Sequence, residues 1–66
     1  MTVVVNGEPR ELQDGATVAD VVRTLTDVER GVAVALDGEV VPRSEWETTT
    51  LADGRRVEVL RAVQGG

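Results

Sequence analysis

Thr17-Val18-Ala19-Asp20-Val21-Val22-Arg23-Thr24-Leu25 is the stretch that decides the fold. Val18, Val21, Val22 and Leu25 recur at i, i+3, i+4 and i+7, a spacing that gathers apolar side chains into one stripe of a helix. Thr17 stands as the N-cap, and Asp20 three residues on gives a variant of the capping box. Three of the four stripe residues are β-branched, so the helix depends on tertiary packing more than on propensity. It needs a sheet to lie on.

Both flanks supply strands. Before the helix, Val3-Val4-Val5 is a β-branched run that stops at Asn6-Gly7, the strongest short hairpin signal. Arg10-Glu11-Leu12 is the expected return strand, with Pro9 at its start, where a missing N–H is tolerated on an edge. Asp14-Gly15 closes it. After the helix, Gly31 is the expected stop or loop residue. Val32-Ala33-Val34-Ala35-Leu36 then alternates large side chains with alanines, a strand pattern. Asp37-Gly38 is a second two-residue turn signal, Glu39-Val40-Val41 returns from it, and Pro42 ends that strand. Ser44-Glu45-Trp46-Glu47 reads as a short helical turn capped by Ser44 and Glu47, with Ser44 most simply a cap and Trp46 a packing residue. Leu51 precedes a third turn at Asp53-Gly54, and Val57-Glu58-Val59-Leu60 is the last strand. The pattern predicts an α+β domain over residues 1–60, a twisted sheet with one helix across its core face. Residues 61–66 are expected to form an extended C-terminal tail that spans at most about 20 Å.

Composition narrows the function. The chain of 66 residues allows one small domain with a thin core, and it has no Cys to staple it. His, Cys, Lys and Tyr are all absent, which removes the usual groups of acid–base and covalent catalysis. Almost all of the carboxylates sit beside turns or at polar helix positions, where solvation accounts for them. The reading is therefore of a protein that is not an enzyme, with no metal site. A net charge of −5 leaves no basic stripe for nucleic acid, and no apolar run approaches the roughly 20 residues of a membrane span. A soluble, cytoplasmic protein is expected.

Gly65-Gly66 is then the chemically notable feature. Chance alone would end about 0.5% of chains this way, given glycine at about 7%, so the composition signal is weak and the chemistry must carry the argument. A tail without Cβ atoms can thread a narrow channel and lie against a nucleotide. A terminal glycine has no stereocentre, so activating its carboxylate cannot racemise it. With no side-chain thiol present, sulfur carried by this chain could reside only at the C-terminus, as a thiocarboxylate.

The whole length resembles the ThiS-type sulfur carriers of thiamine biosynthesis. The resemblance rests on Asn6-Gly7-Glu8, Asp14-Gly15-Ala16-Thr17-Val18, Val32-Ala33-Val34-Ala35, Asp37-Gly38-Glu39-Val40-Val41-Pro42-Arg43-Ser44-Glu45-Trp46, Leu51-Ala52-Asp53-Gly54, Val57-Glu58-Val59-Leu60 and Ala62-Val63-Gln64-Gly65-Gly66. Two positions depart from the family pattern: Asp37 stands where Asn is usual, and Arg55 where an acidic residue is common. The resemblance implies a ubiquitin-like β-grasp fold, with a mixed sheet of four to five strands, one helix and a flexible diglycine tail. It further implies adenylation of Gly66 by a ThiF-type E1-like enzyme that uses ATP and Mg²⁺. A persulfide donor then supplies sulfur, and a ThiG-type thiazole synthase accepts it from the thiocarboxylate. Val63, Gln64 and Gly65 would thread the tail into its partners. The small subunit of molybdopterin synthase, a ubiquitin-like protein modifier and a plain interaction domain remain alternatives.

Strand alternation sets Val3, Val5, Val34, Val57 and Val59 toward the helix, and Val4, Ala33, Ala35 and Leu60 on the other face. Those four, with Arg61, are the candidate docking surface, although an ordinary outer sheet face explains them equally well. Arg55, Arg56 and Arg61 are expected to flank the tail, either as solvated side chains or as contacts for phosphates or acidic groups of a partner.

Overall fold

The computed structural model describes residues 1–25 and 31–61. The elements run β1 (Thr2–Val5), β2 (Glu8–Glu11), α1 (Val18–Leu25), β3 (Val32–Leu36), β4 (Glu39–Val41), a 3₁₀ turn at Arg43–Glu45, and β5 (Arg56–Arg61). The strands form one five-stranded mixed sheet in the order β2-β1-β5-β3-β4. β1 and β5 pair in parallel, and the other neighbours are antiparallel. The strand formed last in sequence is thus the centre of the sheet.

Both hairpins close through two-residue turns whose central residues have positive φ: Asn6 at 52° and Gly7 at 83°, Asp37 at 50° and Gly38 at 89°. This is the turn class whose twist matches paired strands, and it admits Asn, Asp and Gly at little cost. The first return strand begins at Glu8, earlier than expected, with Pro9 opposite Val4 on the sheet's edge. Leu12 lies just beyond β2, yet its N–H donates to the Met1 carbonyl at 2.8 Å and its carbonyl accepts from the Met1 α-amino group at 2.9 Å. The ladder continues past the strand's end.

The helix is short, and a helix of eight residues is not stable alone in water. Its first N–H groups have no partners within the helix and must find them elsewhere. Val18 donates to the Thr49 carbonyl at 3.0 Å and Ala19 to the Trp46 carbonyl at 3.0 Å. Asp20 donates to Thr17 Oγ1 at 3.3 Å, while the Thr17 N–H donates to Asp20 Oδ2 at 2.9 Å, which is the reciprocal cap read from the sequence. The stripe packs as expected, with Val18, Val21 and Val22 buried and Leu25 partly buried against the core. Gly31, the expected helix stop, has φ 69°, but residues 26–30 before it lie outside the described chain.

Facing the helix are Val3, Val5, Val34, Val57 and Val59, all buried, as alternation requires. Trp46 closes one end of this core, 2% exposed, and its indole N–H donates to the Val41 carbonyl at 2.9 Å. Tethering the polar tip lets the large apolar ring be buried without an unpaired donor. The expected Ser44/Glu47 cap does not form. Pro42, in extended conformation, occupies the N-cap position, no side chain caps the turn, and Ser44 sits inside it. The Pro42 carbonyl instead accepts from the Glu45 N–H at 2.8 Å, and Glu47 meets Arg23 of the helix at 3.0 Å. Pro42, in extended geometry, sets the start of the turn two residues earlier than the Ser-x-x-Glu pattern suggests.

Candidate functional site

The site is the root of the C-terminal segment together with the sheet face beside it. β5 runs through Arg61, opposite Val32, so the strand includes the residue assigned to the start of the tail. Val63, Gln64, Gly65 and Gly66 lie outside the described residues.

On its β3 side, β5 is paired from Val57, opposite Leu36, to its end at Arg61, opposite Val32. On its β1 side the strand pairing stops at Val57, opposite Val5, because β1 turns away at Asn6. The Asn6 N–H still donates to the Val57 carbonyl at 2.9 Å. The Asn6 side chain reaches one step further, where Oδ1 accepts from the Val59 N–H at 2.8 Å and Nδ2 donates to the Val59 carbonyl at 3.2 Å. Asn6, Val59, Leu25 and Arg61 together line a shallow recess where the strand leaves the sheet.

The outer face separates the candidate docking residues into groups. Ala33 lies opposite Leu60, and Ala35 lies opposite both Glu58 and Val40. Leu60, Ala33, Ala35 and Val40 therefore form one apolar cluster, in which Leu60 is 67% and Val40 77% exposed. Val4 is opposite Arg56, four residues along β5 from Leu60, or about 13 Å at ~3.3 Å per residue. It shares the face but not the cluster. Arg61 has the parity of Val57 and Val59, which puts it on the helix side beside Leu25. Val40 was missing from the sequence reading, although the register imposed by a two-residue Asp37-Gly38 turn already pairs it with Ala35.

The arginines separate too. Arg55 and Arg56 lie at the start of β5, at the opposite end from Arg61, so they do not flank the tail. Arg55 Nη1 donates to Asp37 Oδ2, and the Arg56 N–H donates to Asp37 Oδ1 at 3.0 Å. The Arg55 guanidinium, helped by the Arg56 N–H, holds the Asp37 carboxyl below the usual carboxylate range. Sequence adjacency to the tail's strand had suggested proximity to the tail, and strand direction reverses it. Among the described residues, no group of three or more His, Cys, Asp or Glu side chains could hold a metal ion. No helix among them is long and apolar enough to cross a membrane.

The chain and its architecture have counterparts among known proteins. The sequence profile of the ThiS family matches residues 3–66. The sulfur carrier protein ThiS of Thermus thermophilus is 41% identical over 64 residues, covering 97% of this chain and 98% of its own. That of Escherichia coli is 26% identical over 66 residues, all of both chains. A thiazole synthase of Paramagnetospirillum magneticum is 33% identical over 66 residues, and this chain covers 20% of that protein. The crystal structure of the thiamine biosynthesis protein ThiS from Geobacter metallireducens superposes with a TM-score of 0.80 at 33% identity over the full length of both chains. The profile, the full-length relatives and the shared β-grasp architecture agree: this chain belongs to the ThiS family of sulfur carrier proteins of thiamine biosynthesis.

Proposed function

We propose that the sulfur is carried on Gly66, whose carboxylate is converted to a thiocarboxylate by partner enzymes. The observation that carries this reading is the end-to-end match with ThiS carriers, through residue 66, in a chain without a single Cys, His or Lys. The side chains offer no thiol or amine to hold sulfur, so the reactive group is the terminal carboxylate. One of its oxygens attacks the α-phosphorus of ATP on a ThiF-type enzyme, and pyrophosphate leaves. A persulfide sulfur displaces AMP from the acyl carbon, and a thiol then cleaves the S–S bond to leave the thiocarboxylate. ATP and Mg²⁺ belong to the adenylating partner; the carrier holds no cofactor and supplies no catalytic group.

A ThiG-type thiazole synthase is the acceptor. Support comes from the thiazole synthase of which one fifth resembles this chain. The same similarity favours the thiamine role over molybdopterin synthesis. Leu60, Ala33, Ala35 and Val40 form the docking surface, because a contiguous apolar cluster flanked by Glu58 and Arg56 has the make-up of an interface core with a charged rim. Val63, Gln64 and Gly65 thread into the partner's active site. The reactions belong in the cytoplasm, where the nucleotide and the persulfide donor are both at hand.

The test is intact mass after incubation with ATP, Mg²⁺, an adenylating enzyme of the ThiF type and a persulfide donor. A gain matching replacement of one oxygen by sulfur, localised to Gly66 by fragmentation, is expected. Unchanged mass, or covalent linkage of this chain to other proteins, would overturn the proposal. Removal of Gly66 should abolish the gain while leaving the circular dichroism spectrum as it is.

A further inference from the structure

We infer that Asn6 is a positioning residue for loading, because its carboxamide holds β5 at Val59 and so fixes where the chain leaves the sheet toward Gly66. The inference rests on the loading of Gly66 proposed above.

Backbone pairing on the β1 side of β5 ends at Val57, four residues before the end of the strand. Beyond that point the strand has β3 on one flank and, on the other, among the described residues, hydrogen bonds from the Asn6 side chain. A primary carboxamide carries the same donor and acceptor pair as a peptide group, and here it takes the place of the next residue of β1. Only one orientation of the amide matches donor to acceptor at Val59, and that orientation is the one present. Side-chain choice is narrow at this position. The residue must accept φ 52° to make the turn, which Asn does more readily than most residues. It must also offer a donor and an acceptor at once, which excludes the carboxylate of Asp and the bare Cα of Gly.

Position converts this bond into function. Val59 is two residues before Arg61, and the five residues from 62 to 66 can reach at most about 16 Å. Misplacement of a reacting group by 1 Å can cost about 10²-fold in rate. The outer-face cluster is not touched by Asn6, so docking and tail direction are separable.

The experiment measures initial rates of ATP-dependent pyrophosphate release against carrier concentration, with the full chain and a ThiF-type enzyme. It compares wild type, Asn6→Asp and Asn6→Gly at a temperature where circular dichroism shows all three folded. Asn6→Gly keeps the turn and removes both bonds, whereas Asn6→Asp keeps the acceptor and removes the donor. The expected result is a fall in kcat of about tenfold for Asn6→Gly and a smaller fall for Asn6→Asp, with KM little changed. Faster amide exchange at Val59 in Asn6→Gly should accompany it. A purely structural Asn6 would lower the melting temperature and leave kcat of the folded variants at the wild-type value, which would overturn the inference alone. Failure of the wild-type chain to release pyrophosphate would overturn both this inference and the proposed loading.

Discussion

The two hairpin turns use the same backbone and grip the same strand, but with different chemistry. Asn6-Gly7 and Asp37-Gly38 both place their first residue near φ 50°, and in both that residue's side chain reaches β5. Asn6 meets the strand near its end, at a residue presenting both a free N–H and a free carbonyl, and satisfies both. Asp37 meets it at its start, where Arg56 offers an N–H and Arg55 a guanidinium, and an acceptor-only carboxylate suffices. Each side chain matches what the strand presents at that point. The Asn6 grip is indifferent to pH, while the Asp37 grip titrates.

Val57→Ala would act on both grips together, because Val57 is fully buried beneath the strand between them. Loss of two methyl groups and the cavity left behind should cost about 3 kcal/mol, measured by urea denaturation. That is a large share of what a domain of this size has available. A cost below about 1 kcal/mol would mean that the turns, rather than the valine core, seat β5. Asn6→Ala should cost about 2 kcal/mol, from two lost hydrogen bonds and the strain of placing alanine at positive φ. Asn6→Gly should cost about 1 kcal/mol less than that, since glycine carries no such strain. Equal costs for the two would show that the bonds, not the backbone geometry, dominate.

Asp37→Asn should have the smallest effect at neutral pH, because the ion pair is solvent-exposed. Its signature lies in the pH dependence. The native carboxyl titrates below its unfolded value near 4, so its contribution is present above that pH and is lost as pH falls through the lower, folded value. Denaturation midpoints at pH 7 and pH 3 should therefore converge in Asp37→Asn relative to wild type. An unchanged difference between the two pH values would remove Asp37 from the account.

Much of this was legible in the sequence where local rules act alone. Both turns, the helix stripe, its Thr17–Asp20 cap, the inward valines and the packing role of Trp46 follow from spacing and side-chain chemistry. The missed features are ones that local rules cannot reach. Ser44 and Glu47 had the right spacing for a cap, but Pro42 had already set the start of the turn. Arg55 and Arg56 were placed beside the tail because they adjoin its strand, and the strand carries them to its far end. Asp37 and Arg55 appeared as two separate departures from the family pattern. In space they are partners, each supplying the charge that the other requires. Gly66 itself is a sequence inference, resting on what the chain lacks and on the family it belongs to.

The central position of β5 has a consequence for the protein's life before it meets any enzyme. A nascent chain stopped before residue 56 has an N-terminal hairpin and a second hairpin with no strand between them, since neither β1 nor β3 pairs with the other. The parallel contact of β1 with β5 forms only once β5 has been synthesised, so the sheet closes after both hairpins have been made. Incomplete copies would remain open and vulnerable to proteases. The topology thus acts as a quality check, in which adopting the fold certifies that the strand bearing the reactive end has been made.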